Sequence, residues 1–390
     1  MRIARVDVFR YELPLARPLV LRTCICTSRS GLLLRFEDGD GAFAFGEAAL
    51  LPGFSREHLD HTLRQAVMLA KHLQGTALPP RLELVTDHFE RWLMPFELVN
   101  SLKFAVQSAL LQLLTGEHAV AVFGLAPRPH RTSIPVNGLL WGTQDAVLAR
   151  AEALLREGYA TLKLKVGREP PGEDAETVRA LCALCGKARA VRLDANRAWD
   201  VPSAMAFARA IDGCTIDYIE EPLRDPAGLV EFAGRTGLPV ALDETVVEHG
   251  ECDLDQWRGA RAAVIKPTLL GGFEIAMYLA RKAINLGMTP VISSSFESPV
   301  GLTALGHLAA FVNQDEVAAG LDTWNWFAAD LLDAPVPIER GRLNLSPADA
   351  LVHRLTPATW SGSGHEPRVL SNPCRRDVPS GRARARRTVR

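Results

Sequence analysis

Apolar and polar positions along the chain keep one rhythm up to about residue 130 and another afterwards. Residues 3–13 alternate with period two, which predicts a strand. A second strand pair is predicted at 31–37 and 42–47, around the turn-forming Asp38-Gly39-Asp40-Gly41. The period then becomes helical over about 55–74 with Ser55 as N-cap, over 81–93, and over 98–115 up to Gly116. A small sheet followed by helices predicts a compact α+β unit, closed by the linker Ala126-Pro127-Arg128-Pro129.

Beyond residue 132, short apolar runs rich in β-branched residues recur at 133–136, 160–166, 190–193, 215–219, 239–242, 262–265, 290–292 and 317–319. Helical stretches separate most of them. Continuously apolar strands alternating with helices predict a parallel sheet buried on both faces, and eight units over roughly 200 residues suit a closed barrel. The expected fold is therefore α/β: a (β/α)8-type barrel over 130–328 with an N-terminal α+β capping domain over 1–129. Pro335, Pro337, Gly341 and Pro347 mark an irregular segment, 329–360, expected to return to the cap. Residues 361–390 carry Arg375, Arg376, Arg382, Arg384, Arg386, Arg387 and Arg390 and read as a disordered, solvated tail.

Composition narrows the class. With 47% hydrophobic residues among 390, the chain has material for a large core. A formal net charge of −1 argues against nucleic acid or an anionic membrane as partner, although a homo-oligomer remains compatible. No apolar run is long enough for a membrane span, and the N-terminus lacks the pattern of a secretory signal. Seven cysteines are irregularly spaced. Cys182 and Cys185 have a spacing seen in zinc sites, but their Ala/Leu-rich helical surroundings suit packing. Thiols used this way imply a reducing, cytoplasmic setting.

Polar residues stand at or just past the predicted ends of the barrel strands: Lys163 and Lys165, Asp194, Glu220, Asp243, Lys266, Ser293 and Asp322. From Lys165 to Ser293 the successive gaps are 29, 26, 23, 23 and 27 residues, each about one βα unit. Strand C-terminal ends of a barrel share one face, so the spacing predicts that these residues converge at one mouth. Three carboxylates on consecutive strands, each after an apolar run, would be costly without a compensating cation. All-oxygen ligands favour Mg²⁺, with Mn²⁺ as a substitute. Lys163 and Lys165 lie two apart on a strand and share a face, and Lys266 ends a strand across the barrel. A lysine crowded by another ammonium and a metal has reason to shed its proton and act as a base. The set suits abstraction of a proton α to the carboxylate of a small-molecule substrate, with a metal on the carboxylate oxygens.

At these residues the sequence resembles the enolase superfamily, in its muconate-lactonizing-enzyme subgroup, and there most of all the o-succinylbenzoate synthase family. Lys163-Leu164-Lys165 is similar to the family's KxK motif, and Asp194-Ala195-Asn196, Glu220-Glu221-Pro222 and Asp243-Glu244 are similar to its metal-ligand motifs. Ile265-Lys266-Pro267 and the following residues to Gly272 resemble the segment carrying the opposing lysine. Leu51-Pro52-Gly53-Phe54-Ser55 resembles a capping loop, and Ser293–Ser298 and Ala319–Thr323 resemble the last two barrel segments.

The resemblance implies a Mg²⁺-dependent syn-dehydration of a cyclohexadiene carboxylate in menaquinone or phylloquinone synthesis. By it Asp194, Glu220 and Asp243 hold the metal, and Asn196, Glu221 and Glu244 support them. Lys165 is the base and then the acid, Lys266 a protonated group against the ring, and Lys163 tunes Lys165. Ser293, Ser295, Gly320 and Arg22 become candidates for substrate contact. The loop at 19–29 departs from the family's small, glycine-containing pattern, which bears on substrate fit. Two other functions share parts of the pattern. One is an N-succinylamino acid racemase or a related epimerase or cycloisomerase, although Asp322-Thr323-Trp324 lacks the Asp-x-Asp expected of a dipeptide epimerase. The other is a non-catalytic barrel that binds through its basic tail.

Overall fold

The computed structural model describes residues 1–21, 24–79, 87–114, 131–249, 254–313 and 316–355. The predicted linker at 126–129, the arginine-rich tail and Arg22 fall outside them.

An antiparallel sheet opens the chain, with strands β1 (Ile3–Val20), β2 (Ile25–Asp38) and β3 (Phe43–Ala49) in that order. The predicted hairpin turn joins β2 to β3, and the Asp38 carboxylate accepts hydrogen bonds from the Asp40 and Ala42 amides, both at 2.9 Å. The predicted helices appear at Leu59–Leu73, His88–Leu93 and Asn100–Leu114. Ser55 is not the first helix's N-cap, a position held by His58. Its hydroxyl instead accepts the Leu51 amide at 2.9 Å, closing the 51–55 turn before the helix starts.

Helix Asn100–Leu114 lies flat on the sheet. A Cβ at Gly46 would meet the Ala105 carbonyl oxygen at 1.8 Å, so only glycine permits this approach. The same helix joins cap to barrel: Phe104 stacks on Phe273 with centroids 5.5 Å apart, a pairing worth about 0.5–1.5 kcal/mol beyond burial.

Seven parallel strands form the second sheet, in the order β11-β10-β9-β8-β7-β6-β5. They are β5 (Gly138–Leu140), β6 (Thr161–Lys165), β7 (Ala190–Asp194), β8 (Tyr218–Glu220), β9 (Val240–Leu242), β10 (Ala262–Ile265) and β11 (Thr289–Ile292). The ring is completed by single-residue bridges. Ser293 pairs with Gly320 and Val136 with Ala319, both parallel. Ala319 and Gly320 thus bond to both flanks, through Ala319 N to Pro135 O at 2.9 Å and Gly320 N to Ile292 O at 2.9 Å.

Two predicted barrel strands differ in detail. The run at 133–136 splits: β4 (Ser133–Pro135) pairs antiparallel with β13 (Arg342–Asn344), and β5, hidden behind the turn-like Asn137-Gly138, enters the barrel. The run at 317–319 supplies bridges rather than a strand, because only two residues are shared between its neighbours.

Of the remaining chain, β12 (Ile338–Glu339) pairs antiparallel with β13, and helix Leu345–His353 packs on helix Pro299–Val312. Leu331, Val352 and Leu355 reach the cap, where they join Phe9, Tyr11, Leu13, Leu33 and Phe45 in one buried cluster. Cys185 is buried in the main core and Cys182 packs against it; among the described residues Cys24, Cys26, Cys182, Cys185 and Cys214 are free thiols.

Candidate active site

Side chains alternate faces along β6, so Thr161, Lys163 and Lys165 point into the barrel while Leu162 and Leu164 bury in the surrounding core. Register aligns Lys165 with Asp194 of β7 and Asp194 with Glu220 of β8. Asp243 follows β9 and Lys266 follows β10. The spacing in sequence has become adjacency in space.

Asp194, Glu220 and Asp243 are 0%, 1% and 1% exposed, and each offers an oxygen within 4.8 Å of the others. The lysines ring them. Lys163 Nζ reaches Glu220 at 2.5 Å and Asp194 at 2.9 Å. Lys165 Nζ donates to Asp194 at 2.6 Å and to the Asn196 side-chain oxygen at 2.8 Å. Lys266 Nζ lies 2.7 Å from the Asp243 carboxylate.

The electrostatics follow from burial against pairing. Burial alone would raise Asp194, but the Lys163 and Lys165 ammoniums overcome it and hold the carboxyl well below the usual range. Glu220 is pushed up to about 8, first by burial and then by Asp194 and Asp243, with Lys163 opposing. Burial disfavours a charged Lys163, yet Asp194 and Glu220 more than offset it and raise its pKa well above the ordinary value. Lys266 is raised in the same manner by Asp243.

Supporting residues orient the acids. Glu221 is fully buried, and one of its oxygens accepts the Asp243 and Thr245 amides at 2.9 and 2.8 Å. The other accepts Arg197 Nε at 3.0 Å. Asn196 donates to Glu244 at 3.0 Å while accepting Lys165. Asn196, Arg197 and Glu221 adopt left-handed φ of 43°, 58° and 41°, strain that non-glycine residues tolerate where surrounding bonds hold them. Glu244 is pushed up to about 7 by burial and by Asp243, and its second oxygen is buried without a hydrogen-bond partner among the described residues.

Ser293 sits just past β11, its hydroxyl 3.3 Å from the Gly320 carbonyl. Ser295 is buried beside it, with a hydroxyl that has no hydrogen-bond partner among the described residues. Gly320's N–H is engaged by Ile292, and a Cβ there would meet Ser293 Oγ at 2.4 Å. Asp322 is occupied by the Leu139 amide at 2.9 Å, Arg150 at 3.2 Å and Asn325 at 2.9 Å.

An apolar lid closes the mouth where cap meets barrel. Leu19 and Leu51 of the cap and Leu139, Leu269 and Trp326 of the barrel form its buried centre, with Phe54 and Phe296 packed against them. Phe54 lies 5.8 Å from Lys266 Nζ. Two residues that sequence reasoning passed over tie lid to barrel. Arg29 is buried and donates to the carbonyls of Leu50, Ser295 and Phe296. Glu47 accepts the Tyr11 hydroxyl, the Ser298 amide at 2.9 Å, the Ser298 hydroxyl at 2.7 Å and the Gly301 amide at 2.8 Å. Their signal in the sequence was a lone charge among strand residues, which reads equally as solvent-facing.

Residues 146–350 match the model of the enolase C-terminal domain-like family, and residues 1–81 match that of the MenC N-terminal domain. The o-succinylbenzoate synthase of Vibrio cholerae is 33% identical over 85% of this chain and 92% of that protein. Protein PHYLLO, chloroplastic, of Arabidopsis thaliana is 30% identical over 78% of this chain, which spans only 20% of that protein's length. Among solved structures, MenC of Desulfotalea psychrophila is similar at 25% identity with a TM-score of 0.69, over 88% of this chain and 99% of that one. The L-Ala-D/L-Glu epimerase of Bacillus subtilis is similar in fold at 23% identity with a TM-score of 0.72, over 88% of this chain and 96% of that one.

Proposed function

The chain belongs to the enolase superfamily and, within it, to the o-succinylbenzoate synthase family, and from that premise we propose how its residues carry out the reaction. The protein is a carbon–oxygen lyase. It dehydrates 2-succinyl-6-hydroxy-2,4-cyclohexadiene-1-carboxylate to o-succinylbenzoate, a step of menaquinone or phylloquinone synthesis. The observation that carries the reading is the meeting of three buried carboxylates with lysines from β6 and from the end of β10.

A proton α to a carboxylate is weakly acidic, so its removal demands a base and strong stabilisation of the negative charge that develops. The donor set fits a hard divalent cation, with Asp194, Glu220 and Asp243 offering oxygen alone. We take that cation to be Mg²⁺, with Mn²⁺ as a substitute. When bound, it supplies positive charge to the substrate's carboxylate oxygens as the proton leaves.

Lys165 is the base. Its side chain is 25% exposed against 11% for Lys163 and 14% for Lys266, so of the three it is the most open to a substrate. Loss of the proton leaves its electron pair delocalised into the substrate carboxylate as an enediolate; when that pair forms the new ring double bond the C–O bond breaks, and Lys165 returns its proton to the departing hydroxyl, releasing water. Lys163, bonded to both Glu220 and Asp194, fixes the field in which Lys165 works and touches the substrate carboxylate. Lys266 stays protonated beside Asp243 and faces the ring as a cation. Ser293, Ser295 and the backbone at Gly320 hold the succinyl arm, and Arg22, outside the described residues, meets a substrate carboxylate. The same reading assigns 1–129 to the cap, 130–328 to the barrel and 329–360 to the returning segment. Among the described residues no helix is long and apolar enough to cross a membrane, and free thiols fit a cytoplasmic setting.

The test is an assay with the cyclohexadiene substrate and Mg²⁺, run beside N-succinylamino acids. Formation of the aromatic product is the expected result. Rapid racemisation with no aromatic product would transfer the chain to the racemase reading. A dipeptide substrate is disfavoured, because Asp322 already serves three donors.

A further inference from the structure

The mouth is not the barrel's only opening. At the other end, where the strands begin, lies a cavity of about 430 Å³, within the range of small-molecule sites. The reaction uses nothing there. Arg192 and Tyr218 form part of its wall, each two residues before a metal-site acid on the same inward face, Asp194 and Glu220 respectively. At about 3.3 Å per residue, that places them roughly 7 Å below the acids.

The lining is basic. Lys187, Arg189, Arg192 and Arg261 outnumber Asp217 and Glu316, four cations to two anions. Both acids are already engaged. Asp217 pairs with Arg192 at 3.0 Å and with Arg261 at 3.9 Å. Glu316 pairs with Arg342 at 2.5 Å and Arg131 at 3.7 Å, neither of which lines the cavity. No ion pair is formed by Lys187 or Arg189 among the described residues. The second observation is the Tyr218 hydroxyl. The residue is 2% exposed, yet its oxygen has no hydrogen-bond partner among the described residues. Burial raises its pKa above the ordinary tyrosine value, and a neutral phenol hydroxyl is a donor. A buried hydroxyl left unpaired costs about 1–3 kcal/mol, which an acceptor reaching it would remove.

We propose that this cavity binds a small organic polyanion, a di- or tricarboxylate or a phosphate ester, with Lys187 and Arg189 meeting its charge and Tyr218 donating to one of its oxygens. Metal-free full-length protein is titrated calorimetrically with citrate and, separately, with glycerol 3-phosphate. Saturable one-to-one binding of at least one is expected, and which of them binds identifies the anion class. Lys187→Ala/Arg189→Ala weakens it about tenfold or more, the loss expected for bonds to charged groups. Tyr218→Phe keeps the ring and weakens binding severalfold, while Lys165→Met at the mouth leaves it unchanged. If Tyr218→Phe fails to fold, the double variant, on outlying side chains, decides alone. No saturable heat with either anion, or undiminished affinity in the double variant, overturns the proposal.

Discussion

Replacing Lys165 with methionine separates catalysis from folding, because the stem is kept and only the amine is lost. In the folded protein that amine bonds Asp194 at 2.6 Å and Asn196 at 2.8 Å. Asp194 nevertheless keeps Lys163 at 2.9 Å, and the lost pair is partly exposed, so the stability change is about 0.2–1 kcal/mol. Catalysis behaves differently. A positioned base contributes about 10²–10⁴-fold, and here one amine both takes and returns the proton. A kcat loss of about 10⁴-fold, or roughly 5.4 kcal/mol of barrier, is expected.

Lys163→Met supplies the contrast. Its amine holds Glu220 and Asp194 together at 2.5 and 2.9 Å. Removing one partner from a buried ionic cluster costs about 3–5 kcal/mol, which appears as lost stability in EDTA and is largely restored by millimolar Mg²⁺. Product formation at saturating Mg²⁺ and urea unfolding with and without EDTA measure the two effects. The reasoning is refuted if Lys165→Met retains more than about 1% of kcat, beyond the effect of even a weak base. It is equally refuted if Lys163→Met in EDTA is as stable as Lys165→Met.

The metal site gives a thermal signature: Mg²⁺ at a hundred times its Kd stabilises the protein by about 2.7 kcal/mol, and Asp243→Asn loses that shift in calorimetric melts. An undiminished shift would remove Asp243 from the ligand set. Gly320→Ala places a Cβ 2.4 Å from Ser293 Oγ and 3.0 Å from its Cβ, at a cost of about 1–3 kcal/mol. Adding Ser293→Ala recovers part of that cost in urea melts, and a double variant no more stable than Gly320→Ala contradicts the packing account. Burial raises Glu274 from 4.5 to about 7, so its contribution to stability is fully present below pH 4.5 and lost as pH rises to about 7. Glu274→Gln is expected to flatten the stability profile across that window, and an unchanged slope in melts at pH 5 and 7.5 argues against it.

By itself the sequence determined the barrel's repeat and the chemistry at its mouth. Gaps of 23 to 29 residues between Lys165, Asp194, Glu220, Asp243, Lys266 and Ser293 are a local property, the length of one strand and its helix, and strand ends of a parallel barrel open on one face. Alternation placed Lys163 and Lys165 on one side for an equally local reason. Tertiary structure alone decided how the ring closes, since Ala319 and Gly320 form bridges only when segments near 136 and 293 flank them. It alone decided that Arg29 and Glu47 clamp the lid, with partners up to 267 residues away. It also sorted Asp322, which serves the Leu139 amide and Arg150, from Asp194, Glu220 and Asp243, which share one small volume. Every one of these depends on which distant chain reaches a given carboxylate or amide, and no period in the sequence encodes that meeting.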